Sequence, residues 1–169
     1  FSNQRPFFCQ LEAVETAIKL AKYHTRRSNF SGFAGAFHGR TMGAVTFTAS
    51  KAKYHSGFYP LMNGVTHAPF PNPYRPILER RKGEDYGEAV VRYIEEEIIA
   101  QILPAKEVAG VLVETIQGEG GYIVPPDGFY PALRKFCDKH GILLILDEVQ
   151  SGMGRTGKLL GCWHDDVRP

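Results

Sequence analysis

No charge of either sign dominates this chain: 20 Lys and Arg stand against 18 Asp and Glu, a formal net charge of +2 over 169 residues. So even a balance gives no basic stripe of the kind that tracks nucleic-acid phosphates. The densest basic cluster, Arg80-Arg81-Lys82, is flanked by Glu79 and Glu84 and reads as a solvated loop. Cysteine is scarce and odd in number: Cys9, Cys137 and Cys162 lie far apart, with no C-x-x-C among them. That argues against a disulfide framework and a cysteine zinc site, and makes a reducing, cytoplasmic setting the expectation. Long apolar runs are missing too, none approaching the ~20 residues that span a bilayer. Phe1 to Leu11 lacks the charged start and apolar centre of a secretory leader. What remains, 43% hydrophobic and 22% charged, suits one globular domain with a real core.

The most informative stretch runs from Gly141 to Gly152, GILLILDEVQSG. Its apolar part, Ile142 to Leu146, leads straight into the paired acids Asp147-Glu148. A short apolar run bounded by glycine predicts a fully buried parallel strand. Open α/β sheets place ligands at the carboxyl ends of such strands. A carboxylate buried there needs a cationic partner.

Helical and strand patterns alternate along the rest. Ala13, Val14, Ala17, Ile18 and Ala21 recur at helical spacing, with Glu12, Glu15, Lys19 and Lys22 between them, predicting an amphipathic helix of about three turns. Phe30 to Ala36 predicts a short strand and Gly64 to Ala68 a weaker one. Tyr86, Ala89, Val90, Tyr93, Ile94, Ile98 and Ile102 form an apolar stripe, so a helix is expected from Tyr86 to Leu103, ahead of Pro104. Val108 to Glu114 predicts a further strand, again apolar up to a closing acid. After the glycine turn 118–121, Pro125-Pro126-Asp127 precedes a helix carrying Phe129, Leu133, Phe136, Cys137 and His140 on one face, with Asp127 near its N-cap. Strand, helix and strand in this order give a βαβ unit and a parallel sheet.

Glu114 and Asp147 are therefore expected to close consecutive strands and face one crevice. A metal, a substrate amine or a protonated ring nitrogen would each suit it. The metal reading draws on the likeness of the apolar run and Asp-Glu to a Walker B segment, and Gly152 to Lys158 even matches G-x-x-x-x-G-K. It fails at Leu159, where Ser or Thr must supply the hydroxyl for Mg²⁺, and the order of the two segments is wrong. A pyridinium held against Asp147 stays protonated and acts as an electron sink. Val149 would then pack on one ring face, Phe37 on the other, and Gln150 would donate to a phenolic oxygen. Singly, each residue has a plainer reading: Phe37 as core, His38 as a hydrogen-bonded structural histidine, Asp147 as a turn cap.

Taken jointly, four stretches resemble the class III aminotransferases of the 4-aminobutyrate and ornithine type, which use pyridoxal 5′-phosphate. They are Glu12 to Ala21, Ala36 to Ala44, Val113 to Gly121 and Asp147 to Gly157, in family order. The resemblance implies a three-layer αβα fold with a mainly parallel sheet. Residues 1–169 would be a partial pyridoxal-phosphate-binding large domain, without the N-terminal segment and the small C-terminal domain. It also implies a homodimer that moves an amino group from an amine or amino acid to a 2-oxo acid such as 2-oxoglutarate. By resemblance Asp147 pairs with the pyridine nitrogen, Phe37 and Val149 flank the ring, and Gln150 contacts its 3′-oxygen. Glu114 is an acid beside the cofactor, Glu119 pairs with a distant arginine, and His38 and Gly39 share the Phe37 turn.

Two departures qualify the resemblance. Gln4 to Leu11 is bulkier than the family's Ser-Gly-Thr type turn, lacks glycine and hydroxyl, and predicts a broken phosphate cup. The Schiff-base lysine falls roughly a few tens of residues beyond the Asp-Glu-Val-Gln motif in the family, outside this chain, while nucleophilic catalysis needs it. Lys158 reads as a surface lysine. This chain alone is thus expected to be catalytically inactive, with a non-catalytic remnant or a related racemase or aminomutase as the alternatives.

Overall fold

The computed structural model describes residues 10–169. Cys9, Arg5 and most of the altered phosphate turn lie outside the described residues. A four-stranded sheet is built from β1 (Asn29–Phe33), β2 (Val65–Ala68), β3 (Val108–Glu114) and β4 (Leu143–Asp147), in the order β2-β1-β3-β4. All three pairings are parallel. Helix α1 (Gln10–Thr25) and the short α2 (Met42–Phe47) cover one face, while α3 (Tyr86–Tyr93) and α4 (Phe129–His140) cover the other. The result is the three-layer αβα fold expected of the family resemblance.

The layers follow from side-chain alternation along the strands. Val111, Val113 and Leu144 point to the α3–α4 layer, with Phe33, Phe129 and Leu133 filling the space between. Phe30, Ala109 and Leu112 point the other way, onto Val14, Ile18 and Ala21 of α1. Between Asn29 and Phe30 the β1–β3 register slips by one, from Val108 to Gly110. That bulge explains why Ala109 and Val111, two residues apart, serve opposite cores despite the period of two.

Local chemistry sets the helix ends. Asp85 and Glu88 form a capping box on α3: Gly87 N donates to Asp85 Oδ1 at 2.7 Å, and Asp85 N donates to Glu88 Oε2 at 3.0 Å. Helix α4 ends on Gly141 in the left-handed conformation (φ 61°), with Ile142 N donating back to Cys137 O at 2.9 Å.

Five expectations change. The strand expected over 30–36 stops at Phe33, because Gly35 turns the chain out of the sheet with φ +82°. The helix expected from Glu12 begins at Gln10 and runs 16 residues, so Leu11 lies inside it rather than before it. The helix expected over 86–103 is α-helical only to Tyr93 and continues as a π-helix over Ile94–Ile102. Its wider turn puts Ile94, Ile98 and Leu103 inward and leaves Ile102 66% exposed. Asp127 is exposed and does not cap α4; Gly128 holds the N-cap position, its backbone packed against the Asp85 carboxylate. Finally, β4 is only partly buried, with Leu143, Ile145 and Leu146 at intermediate exposure, since it has a single strand neighbour among the described residues.

Candidate active site

The chain visits β1, then β2 on one side of it, then β3 on the other, so β1 and β3 flank a topological switch point. Ligand crevices in open α/β sheets open there, at the carboxyl ends. Three segments converge on that edge: the loop after β1 with Phe37 and His38, the acid closing β3, and the acid closing β4. Glu114 and Asp147 are direct register partners, as the sequence predicts.

Asp147 is buried and accepts hydrogen bonds of different origin. Val149 N donates to its Oδ1 at 3.1 Å, the turn-cap role of a strand-end aspartate. His38 Nδ1 lies 2.9 Å from its Oδ2, with the two side chains 0% and 4% exposed. A carboxylate accepts only, so the imidazole proton facing it sits on Nδ1. His38 Nε2 is buried with no protein partner among the described residues.

Glu114 braces two loops. Its Oε1 accepts from Phe37 N at 2.9 Å and its Oε2 from Gly118 N at 2.8 Å, tying the loop after β1 to the loop after β3. Burial pushes its carboxyl above the ordinary range, partly countered by those two N–H groups, and the nearby Asp147 charge pushes it further up. Tyr130 hydroxyl donates to Glu114 O at 2.7 Å and so steadies the end of β3 from the α4 side. Gln117 locks the same corner, donating through Nε2 to Ala34 O at 2.8 Å.

Of the remaining predicted residues, Gly39 is buried beside His38, and its carbonyl accepts from Thr48 Oγ1 at 2.9 Å. Val149 is 58% exposed. Gln150 is exposed and lies over Gly118, where a Cβ would come within 2.6 Å of its amide carbon. Both line an open cavity of about 510 Å³, together with Gly118, Tyr122 and Arg155. Glu119 stands apart from Asp147 in its bonding: its Oε1 accepts from Lys51 Nζ at 2.8 Å and Tyr54 hydroxyl at 2.5 Å. Lys51 and Tyr54 are functional neighbours that the sequence did not reveal, because nothing in Lys51-Ala52-Lys53-Tyr54 signals a partner 65 residues downstream of Tyr54.

Among the described residues no three of His, Cys, Asp and Glu gather as metal ligands. Glu148 is used as a cap, accepting from Ser151 Oγ, Gly161 N and Cys162 N. Lys158 donates to Trp163 O at 2.7 Å on the surface.

A parallel αβα sheet with register-paired acids, a histidine-backed aspartate and an aromatic loop at its switch point defines an α/β domain built around an organic cofactor. Comparison with known proteins gives the same class a family. The sequence profile of the aminotransferase class-III family matches residues 4–169, and the chain belongs to that family. It is 40% identical over 161 residues to an alanine/serine racemase of Pyrococcus horikoshii, covering 94% of this chain and 34% of that protein. Among solved structures it is similar to an amine transaminase of an uncultivated Pseudomonas species in its pyridoxal-phosphate-bound form. The TM-score is 0.83, with 36% identity over 95% of this chain and 37% of that one. An (S)-enantioselective omega-transaminase of Thermomicrobium roseum gives TM-score 0.85 and 37% identity, again over 96% of this chain and 37% of that one. The chain thus spans about a third of the length of these relatives. Family membership implies pyridoxal phosphate as cofactor. The donor set fits its ring: buried Asp147, beside its register partner Glu114 at the carboxyl ends of the strands, is the acceptor a pyridinium requires. No described helix is long and apolar enough to cross a membrane.

Proposed function

We propose that residues 1–169 form the central part of the pyridoxal-phosphate-binding domain of an aminotransferase. The whole enzyme would move an amino group from an amine or amino acid, of the 4-aminobutyrate kind, to a 2-oxo acid such as 2-oxoglutarate. It would act as a homodimer in a cytoplasmic setting. The His38–Asp147 pair at the carboxyl end of β4 carries this reading.

When bound, pyridoxal phosphate supplies an electron sink for the substrate carbon whose bond is broken. Asp147 accepts the pyridine N–H and holds that proton on the ring. His38, through Nδ1, orients the carboxylate. Glu114 fixes the Phe37 loop against the β3 loop, so that the Phe37 ring and Val149 wall the two faces. Gln150 donates to the phenolic oxygen. The covalent lysine and the phosphate contacts belong to the whole enzyme, and the proposal for this chain is confined to holding the ring.

The 40% identity to an alanine/serine racemase favours one second reading, racemisation on the same platform. Ring-holding residues are common to both chemistries, so the two separate on substrate. Whole enzyme given L-alanine without any 2-oxo acid loses optical rotation if it is a racemase and keeps it if it is only an aminotransferase.

The ring-holding role is tested by equilibrium dialysis with pyridoxine 5′-phosphate, which has no aldehyde and cannot react with surface lysines. Asp147→Asn is expected to weaken binding about tenfold or more, the worth of a charge-assisted hydrogen bond. Unchanged binding in that variant would sink the reading.

A further inference from the structure

We propose that Tyr54 is the positioning residue for the Phe37 ring, anchored by Glu119 and Lys51. The inference rests on the reading of Phe37 as one wall of the cofactor site and extends it to residues outside that wall. Tyr54 closes the short 3₁₀ turn Ala52–Tyr54, and its ring meets Phe37 edge-on at 5.4 Å between centroids and 65° between planes. Such a contact fixes the tilt of a ring without stacking parallel on it. Glu114 already pins the Phe37 backbone at its N–H, which leaves the side-chain torsions to be set by neighbours. Tyr54 is pinned in turn at its far end: its hydroxyl donates to Glu119 Oε1 at 2.5 Å, and Lys51 Nζ shares that oxygen at 2.8 Å. The Arg40 guanidinium lies 5.0 Å from the Tyr54 ring centroid, a cation–π contact that completes the clamp.

Two acids five residues apart on the β3 loop thus hold one aromatic residue by two routes: Glu114 by the backbone, Glu119 through Tyr54 by the ring. Stability does not account for the second route. The Lys51 and Glu119 side chains are 51% and 22% exposed, and partly exposed ion pairs contribute little to folding. What the network does determine is direction: the hydroxyl bond fixes where the Tyr54 ring stands, and that ring fixes the Phe37 plane. Glu119 and Lys51 therefore act at two removes from the cofactor, and none of the three touches reacting atoms.

The test uses the full chain with 4-fluorophenylalanine placed at position 37, read by fluorine NMR, and dialysis with pyridoxine 5′-phosphate. Tyr54→Phe keeps the ring and loses the anchor; Tyr54→Leu loses both. Tyr54→Phe is expected to shift or broaden the position-37 signal in the ligand-free protein and to weaken binding about three- to fivefold, the worth of one ordinary hydrogen bond. Tyr54→Leu is expected to weaken it about tenfold, with the thermal midpoint nearly unchanged in both. Glu119→Gln, which keeps an acceptor for the hydroxyl, is expected to lie between the parent and Tyr54→Phe. A position-37 signal that superimposes on the parent in both Tyr54 variants would overturn the proposal. So would a shifted signal with unchanged binding, since the ring would then be held for packing alone. Failure of the underlying reading shows elsewhere: Asp147→Ala, with Tyr54 intact, would bind pyridoxine 5′-phosphate as the parent does.

Discussion

His38 Nδ1 and Asp147 Oδ2 stand 2.9 Å apart, joining the loop after β1 to the end of β4 across a separation of 109 residues. Both side chains are buried, so removing His38 costs Asp147 a buried hydrogen bond. His38→Ala is expected to destabilise the fold by about 1–3 kcal/mol. His38→Asn, whose amide nitrogen reaches the Nδ1 position, should recover a good part of that. Urea midpoints at constant m-value measure both; equal midpoints for parent and His38→Ala would deny the pair any structural weight.

Glu114 governs a pH dependence of definite sign. Its folded carboxyl titrates above the ordinary range because burial disfavours the charge. Between the unfolded and the folded value the native state therefore binds more protons, and stability falls as pH rises through that window. Glu114→Gln is expected to flatten this slope. It should also cost about 1–3 kcal/mol, because an amide nitrogen would face one of the two backbone N–H groups the carboxylate now accepts. Urea unfolding across a pH series reads both effects. The partly buried Glu84–Arg92 pair works in the opposite direction: the Arg92 hydrogen bond holds the Glu84 carboxyl low, and its small contribution is lost as pH falls through that lowered value.

Glu15 of α1 caps another helix. Its Oε1 accepts from Thr41 Oγ1 at 2.6 Å, Gly43 N at 2.8 Å and Ala44 N at 3.1 Å, at the start of α2. Glu15→Ala is expected to cost about 1–2 kcal/mol, as loss of an N-cap does. Hydrogen exchange in residues 42–47 should quicken ahead of the sheet. Uniform protection across the two would refute a local capping role.

Gly35 and Gly118 are expected to differ under alanine substitution. At Gly35 the backbone has φ +82° and a Cβ would sit 2.7 Å from Gln117 Oε1, whose amide is held by Ala34. Gly35→Ala should cost about 1–2 kcal/mol for the backbone alone, before Gln117 is displaced. At Gly118 the obstruction is the exposed Gln150 side chain, which can swing aside. Gly118→Ala should therefore stay within about 0.5 kcal/mol. Thermal melts of the two variants decide the order.

Strands β3 and β4 and the meeting of Glu114 with Asp147 were legible in the sequence, because apolar runs closed by acids carry both the strand and its polarity. Phe37, His38 and Asp147 were legible as a set through family motifs. Less legible was what each side chain does for the others. His38 had a plain structural reading and turned out to be the partner of Asp147, a relation that no local pattern encodes. Helix α2 was missed, because Met42 to Phe47 is too short to show a period. Its N-terminus depends on Glu15, which sequence spacing places on the polar side of α1. The π-helix escaped for a related reason: a stripe at 3.6-residue spacing fits Ile94 and Ile98 but assigns Ile102 the inner place that Leu103 takes.

β3 and β4 offer their acids very different mountings. β3 is hydrogen-bonded on both sides and buried along all seven residues, so its amides should exchange only when the whole molecule opens. β4 pairs on one side among the described strands, and its amides should exchange through smaller excursions. Glu114 is thus fixed by its strand, whereas Asp147 is fixed by His38. On the proposed reading, the precision with which Asp147 would present a negative charge to a ring nitrogen is a property of the loop after β1 as much as of the sheet itself.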